Sequence, residues 1–115
     1  MKAASVLAAS VLVAAVGVAQ AHAHLLEVSP ADGSVISTVP TQLALRFSES
    51  ARLTALSIEK NGADPQKLTA LPRQPQSKIV VPLPVLAPGR YLVSWRALSA
   101  DGHVVAGQIH FTLNQ

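Results

Sequence analysis

The residues with the clearest potential for chemistry are the histidines that follow an apolar leader. The stretch Ala19-Gln20-Ala21-His22-Ala23-His24 offers small residues where a signal peptidase cuts, so cleavage after Ala23 makes His24 the first mature residue. An N-terminal histidine offers its free α-amine and its ring nitrogen to one metal ion as a chelate. Cleavage after Ala21 would instead leave His22 first and His24 third, and that terminus also wraps Cu(II) locally. We favour the later cut.

A second pair of donors lies near the other end of the chain, in Asp101-Gly102-His103. Positions i and i+2 of an extended segment point to the same side, so one carboxylate and one imidazole converge. Gly102 between them leaves room for a ligand and tolerates unusual backbone angles. Taken alone, Asp-Gly is a common turn pair and a loop histidine is usually just solvated. Asp101 and His103 become credible metal ligands only in combination with the predicted N-terminal histidine.

Together the two segments supply an amine nitrogen, two imidazole nitrogens and a carboxylate oxygen. Nitrogen and oxygen donors in a tetragonal arrangement suit Cu(II) or Ni(II), and Cu(II) stands highest in the affinity order for such ligands. Zn(II) prefers a tetrahedron but can use the same atoms. The chain has no cysteine, and its only methionine, Met1, leaves with the leader. A soft Cu(I) thioether site is therefore excluded.

Three further residues are less well supported as members of the site. Glu49 is a further oxygen ligand, an acceptor that orients an imidazole N–H, or an ordinary exposed carboxylate. His110 has the opposite strand parity to Ile109 and Phe111, so we expect it on a solvated face. We expect Trp95 in the core, with a wall shielding the site as the alternative.

Length and composition predict one small exported domain. Lys2 and the apolar run 3–18 before the cut site predict a signal peptide over residues 1–23, because the run is short for a membrane anchor. Residues 24–115 then form a single domain. Loss of Lys2 lowers the formal net charge of the 115-residue chain from +3 to +2. The basic residues are scattered, so we expect no nucleic-acid partner. Absence of cysteine fits a bacterial periplasmic domain without disulfides.

Alternating apolar residues predict short β-strands throughout the mature chain. In Gln42–Ser48, Leu43, Leu45 and Phe47 face one way, and Glu49 follows the end of this strand. A separate strand, Leu53–Lys60, is expected to turn Thr54, Leu56 and Ile58 to one face. The remaining strands are predicted at 24–28, 78–83, 90–98 and 107–113, and the Pro-rich segment 64–76 as loop or ragged edge strand.

About seven short strands with Pro and Gly turns, and no helical period, indicate an all-β domain. The candidates are a β-sandwich or a small Greek-key barrel. The turn signals include Ser29-Pro30-Ala31-Asp32-Gly33, where proline sets φ and glycine supplies a positive φ.

With these residues assembled, the chain resembles the CopC family of periplasmic copper-binding proteins. The resemblance covers essentially the whole mature chain, and its last long block is specific. The matching segments are His24-Leu25, Ser29-Pro30-Ala31-Asp32-Gly33-Ser34, Leu45-Arg46-Phe47-Ser48-Glu49, Pro88-Gly89-Arg90-Tyr91, Trp95-Arg96-Ala97-Leu98-Ser99-Ala100-Asp101-Gly102-His103, and Gly107.

The resemblance implies a seven-stranded Greek-key β-barrel or sandwich of the Ig-like, cupredoxin-like kind. It implies Cu(II) held by the amine and ring of His24 with Asp101 and His103, and in some members the glutamate matching Glu49 also lies at the site. Some members add a methionine-rich segment for Cu(I), which this chain lacks. The family is associated with copper resistance or uptake, often beside a CopD-type inner-membrane protein.

We therefore expect a monomeric periplasmic Cu(II) carrier or buffer and not an enzyme. One alternative is an enzyme, because an amine with two imidazoles resembles the copper brace of lytic polysaccharide monooxygenases. One Trp and one Tyr make a poor sugar platform, and a carboxylate ligand would block the position that oxygen needs. The other alternative is a metal-free β-sandwich interaction domain.

Overall fold

The structure, a computed structural model, describes residues 23–114, and this part of the chain is built from seven strands. They are β1 (Leu25–Ser29), β2 (Ser34–Ile36), β3 (Gln42–Lys60), β4 (Gln66–Lys67), β5 (Gln76–Pro82), β6 (Gly89–Ser99) and β7 (Val104–Leu113). The predicted all-β, seven-stranded fold is confirmed. The leader before Ala23 lies outside the described residues, and the signal peptide stays a prediction. Across residues 23–114 no helix is long and apolar enough to cross a bilayer.

The strands form one curled sheet organised around β3. The order is β1-β3-β6-β7-β2, with β5 and β4 pairing with β3 as well. β1, β5 and β6 all run antiparallel to β3, whereas β2 lies parallel to β7. Several neighbours in the sheet, such as β3 and β6 or β7 and β2, are thus not consecutive in sequence, as in Greek-key folds. The hydroxyl of Tyr91 donates a hydrogen bond to the carbonyl of Ala87, a tyrosine corner of the kind that Greek-key sandwiches use.

The prediction of two separate strands around Glu49 is wrong, because β3 runs unbroken for 19 residues from Gln42 to Lys60. Its first half pairs with β1 and β5, and its second half pairs with β6 and β4. The polar triplet Ser48-Glu49-Ser50 suggested a break. These three residues are exposed but remain extended, because β3 passes there from one set of partners to the other.

A bulge at Thr54 reverses which residues of β3 face the core. Leu53 pairs with Ala97, whereas Ala55 pairs with Arg96, so β3 carries one extra residue between them. Buried positions are therefore odd up to Leu53 and even afterwards. The prediction that Thr54 shares a face with Leu56 and Ile58 is wrong, since those two are buried whereas Thr54 is exposed and donates a hydrogen bond to the Arg96 carbonyl at 3.2 Å.

The core lies inside the curl of the sheet and follows the predicted alternation elsewhere. The side chains that alternate to one face in the first half of β3, in β6 and in β7 are all buried, namely Leu43, Leu45, Phe47, Tyr91, Val93, Trp95, Ala97, Ile109, Phe111 and Leu113. Phe47 meets Trp95 edge-on at 5.4 Å between ring centroids, and Tyr91 stacks on Phe111 at 5.3 Å. Burial of a large apolar side chain stabilises a fold by about 1.5–3 kcal/mol. This core fixes the strands that carry the predicted donors.

The predicted turn after β1 ties the start of the chain to the last strand. Gly33 adopts the expected positive φ of 80° and donates its N–H to the carbonyl of His110 at 2.6 Å. Asp32 Oδ1 accepts the main-chain N–H of His110 at 2.8 Å. The side chain of His110 is exposed, as its strand parity predicted, with its Nδ1 3.7 Å from Asp32 Oδ1.

Candidate metal centre

The first predicted ligand, His24, is held against the middle of β3 by main-chain hydrogen bonds. β1 enters the sheet with Leu25 opposite Phe47. One residue earlier, the carbonyl of His24 accepts the N–H of Ser48 at 2.8 Å, and the His24 nitrogen donates to Ser48 Oγ at 2.9 Å. The imidazole itself is exposed. The backbone of His24 is thus anchored while its ring stays accessible to an ion.

Glu49 lies in a wide bulge of β3 immediately after Ser48. On the β5 side, Arg46 pairs with Lys78 and the next pair is Ala51 with Gln76. Residues 47–50 of β3 therefore face a single residue of β5. Bulges of this kind bend a strand and redirect its side chains. Glu49 is exposed at this bend and lies next in sequence to the residue that holds His24.

The other two predicted ligands lie on the turn between β6 and β7. Ser99 ends β6 opposite Ala51, and its N–H donates to the carbonyl of His103 at 2.8 Å, which closes the turn. Gly102 has a φ of 90°, a left-handed conformation that glycine adopts without strain. Its N–H donates to the carbonyl of Ser99 at 3.0 Å. The turn therefore presents Asp101 and His103 on either side of a position that requires glycine.

Asp101 and His103 are in direct contact, as the i, i+2 spacing predicted. His103 Nδ1 lies 2.7 Å from Asp101 Oδ2, and the His103 main-chain N–H donates to Oδ1 at 3.2 Å. The hydroxyl of Ser99 also donates to Oδ1. The ring of His103 and the carboxylate of Asp101 thus point to the same place, and the ring is 62% exposed.

The hydrogen bonds of this turn keep Asp101 ionised. Chiefly the Ser99 hydroxyl, and after it the ring and main-chain N–H of His103, lower the pKa of Asp101 from 3.8 to about 2, although desolvation partly opposes them. A carboxylate with so low a pKa carries its negative charge at any physiological pH. It is therefore ready to neutralise a cation beside His103.

Strand pairing brings the two ends of the candidate site to one edge of β3. Ala51 pairs with β5 and with Ser99 of β6, and Arg46 pairs with β5 and with Glu27 of β1, so β1 and β6 share the edge opposite β5. The start of β1 and the end of β6 face each other along this edge. Ala51 lies three positions after Ser48 in β3, a span of at most about 10 Å.

The side chains are not already closed around an ion. Within the described part of the chain, no three His, Cys, Asp or Glu side chains are close enough together to hold a metal. Asp101 touches His103, whereas His24 and Glu49 reach the same edge as exposed, separate side chains. Trp95 is only 7% exposed, which agrees with a place in the core.

Two serines that hold the predicted ligands, Ser99 and Ser48, were not predicted from the sequence. Ser99 is 3% exposed, a buried polar residue at a strand end. The available signal was its position in the sequence. Ser99 continues the alternation of Trp95 and Ala97, which predicts an inward side chain, and it lies two residues before an aspartate. Ser48 had none, because its contact with His24 joins residues 24 positions apart.

Known proteins resemble this chain in sequence and in fold. Residues 25–114 match the CopC domain family. Copper resistance protein C of Pseudomonas syringae pv. tomato is 32% identical over 114 residues, which cover 90% of this chain and 88% of that protein. Protein YobA of Escherichia coli K12 is 33% identical over 98 residues, covering 81% and 79% of the two chains.

Among solved structures, CopC from Methylosinus trichosporium OB3b superposes with a TM-score of 0.68 at 27% identity, covering 81% of this chain and 94% of that one. These matches confirm the predicted family and the prediction that the chain is not an enzyme. The fold and the sequence matches lead to the same family as the predicted turn around Asp101 and His103. This chain belongs to the CopC family, and its function concerns copper.

Proposed function

We propose that the mature chain is a periplasmic Cu(II)-binding protein that buffers or transfers copper. Its proposed ligands are the α-amine and ring of His24, the Asp101 carboxylate and the ring of His103. The observation that carries the proposal is the shared edge of β3, where the start of β1 meets the end of β6. His24 directly precedes β1, and Asp101 and His103 lie in the turn that follows β6.

The chemistry of this donor set favours Cu(II). Three nitrogens and one oxygen suit a tetragonal ion, and Cu(II) binds such ligands most tightly among the divalent metals of its row. The residue types offer no soft alternative, since the chain has no cysteine and only Met1. Asp101 and His103 are proposed to bind one ion together, because Nδ1 of His103 and Oδ2 of Asp101 lie 2.7 Å apart.

Glu49 is proposed as the remaining protein group at the site. It lies in the bulge of β3, next in sequence to Ser48, which holds the His24 nitrogen. It acts there as an oxygen ligand of Cu(II) or as the acceptor of the His24 ring N–H. The Glu49→Gln variant separates these roles. Loss of an oxygen ligand changes the electron paramagnetic resonance parameters of the bound Cu(II), whereas loss of an acceptor lowers the affinity and leaves the set of ligand atoms unchanged.

Export is part of the proposed chemistry. Removal of residues 1–23 in the periplasm converts the His24 nitrogen from a peptide amide into an amine that can chelate. A CopD-type inner-membrane protein is proposed as the partner that receives or supplies the copper. The protein itself is proposed to act as a monomer, since the ligands all come from one edge of one sheet.

The decisive experiment compares the mature protein starting at His24 with a form extended by one Met. Cu(II) affinity is measured by competition with a chelator of known affinity. The extension removes a ligand. Loss of an outer-shell partner typically lowers metal affinity about 10–100-fold, and we expect a larger fall here. His103→Ala should also weaken binding severely, whereas His110→Ala, at an exposed histidine elsewhere on the sheet, should not. Undiminished binding by the extended form would refute the chelate.

The pH dependence provides an independent test. Protons compete with Cu(II) at imidazole, with a pKa of about 6.5, and at the terminal amine, with a pKa of about 8. Affinity should therefore weaken progressively from about pH 8 to pH 5. A constant apparent affinity over that range would contradict coordination by these nitrogens.

A further inference from the structure

The hydroxyl of Ser48 is directed at the one atom whose chemistry changes on export. Ser48 Oγ accepts a hydrogen bond from the His24 nitrogen at 2.9 Å. The reciprocal main-chain bond, from Ser48 N to the His24 carbonyl at 2.8 Å, fixes the two residues side by side. The pairing of Leu25 with Phe47 continues the same register, so the contact is part of the pairing between β1 and β3.

We propose that Ser48 is a positioning residue for the metal-binding α-amine of His24. This inference rests on the proposed function, because it concerns the same amine. An α-amine has two hydrogens and one lone pair when it coordinates a metal. If one hydrogen is donated to Ser48 Oγ, rotation about the N–Cα bond is restricted. The lone pair is then held in one direction before the ion arrives, which raises affinity by reducing the ordering that binding requires.

The same contact bears on which cut makes the functional terminus. In a chain cut after Ala23, the His24 nitrogen keeps hydrogens while it binds Cu(II), so its bond to Ser48 survives. In a chain cut after Ala21, the His24 nitrogen is a peptide nitrogen that must lose its hydrogen to coordinate, and its donation to Ser48 must end. The hydrogen bond is thus compatible with chelation by the terminal amine and opposes local wrapping by His22-Ala23-His24.

The strand around Ser48 allows a matched set of variants. Ser48→Ala removes the acceptor but keeps the main-chain N–H that bonds the His24 carbonyl. Ser48→Thr restores a hydroxyl at a position where a β-branched residue suits an extended backbone. Ser50→Ala removes an exposed hydroxyl two residues along the same strand and is the control. All are made in the mature protein starting at His24.

The test measures Cu(II) affinity by competition, the electron paramagnetic resonance spectrum of the Cu(II) form, and the thermal midpoint of the metal-free protein. Ser48→Ala should weaken binding about tenfold and shift the nitrogen hyperfine pattern, with little change in the thermal midpoint. Ser48→Thr should restore affinity and spectrum, and Ser50→Ala should match the native protein in both.

Native affinity and spectrum in Ser48→Ala would overturn the inference and leave the proposed function standing. An equal loss in Ser48→Thr or in Ser50→Ala would also overturn it, because the Ser48 hydroxyl would then not be the cause. A native mature protein that fails to bind Cu(II) tightly would overturn the proposed function and this inference together.

Discussion

Gly107 is a position where even one added methyl group should lower the stability of this fold. It pairs with Trp95 in the β6–β7 ladder, and the indole lies over it. A Cβ built at Gly107 would lie 2.7 Å from Trp95 Cζ2 and 2.9 Å from Cε2 and Nε1, closer than real Cβ atoms approach. The indole is buried and packs edge-on against Phe47, so it has little freedom to retreat. We therefore expect Gly107→Ala to overpack the core.

The size of the effect follows from these distances. To reach an ordinary carbon–carbon contact of about 3.5–4.0 Å, the ring or the strand must move by about 1 Å. Overpacking of a well-filled core costs about 1–3 kcal/mol, and we expect about 2 kcal/mol for Gly107→Ala. In a domain of this size, that loss lowers the thermal midpoint by roughly 8–16 °C. It lowers the urea midpoint by about 1 M or more.

The assay is urea unfolding followed by circular dichroism. Ala106→Val, which adds bulk to an exposed position of the same strand, is the control and should change stability little. In a Trp95→Phe background the smaller ring leaves room, so Gly107→Ala should lose less stability there than in the native background. An unchanged urea midpoint in Gly107→Ala, or an equal loss in both backgrounds, would refute the steric reasoning.

Three further predictions test contacts outside this core pair. The depressed pKa of Asp101, about 2 against 3.8, means that its contribution to stability is present above about pH 4 and lost as pH falls through about 2. Asp101→Asn should remove this part of the pH dependence of the unfolding free energy, measured by urea titration. Ser99→Ala should raise the pKa of Asp101, measured by NMR. Tyr91→Phe, which loses the bond to a main-chain carbonyl four residues earlier, should lower the unfolding free energy by about 1 kcal/mol. Glu27→Gln breaks an exposed ion pair with Arg46 and should change the urea midpoint little, and by less still at high salt.

Much of the fold was predictable because one face of each strand is buried. The predicted strand at 90–98 lies within β6, and its inward residues Tyr91, Val93 and Trp95 are buried. Such alternation is written locally, since neighbouring side chains in a strand point to opposite faces. The turn residues were predictable for the same reason, and Gly33 has the positive φ that its place in the turn requires.

The two wrong predictions, at Thr54 and around Glu49, both lie in β3, where the strand changes its partners or its register. Thr54 follows the alternation of its local sequence, but the bulge inserts one residue against β6 and turns Thr54 outward. The polar residues around Glu49 resemble a strand end, yet pairing on both sides keeps the backbone extended. Pairing between distant strands decides both outcomes, and a local pattern does not contain it.

For the candidate site, the sequence alone determined which donor groups are available to the proposed metal centre: a histidine at a predicted cleavage point, an aspartate and a histidine two residues apart, and no cysteine. Tertiary structure alone decided that these segments share one edge of β3. It also decided that Ser48 and Ser99 hold them there. The physical reason is that hydrogen-bonded strand pairing joins His24 to Ser48 and Ser99 to Ala51 across long stretches of chain, and only the folded sheet brings those residues together.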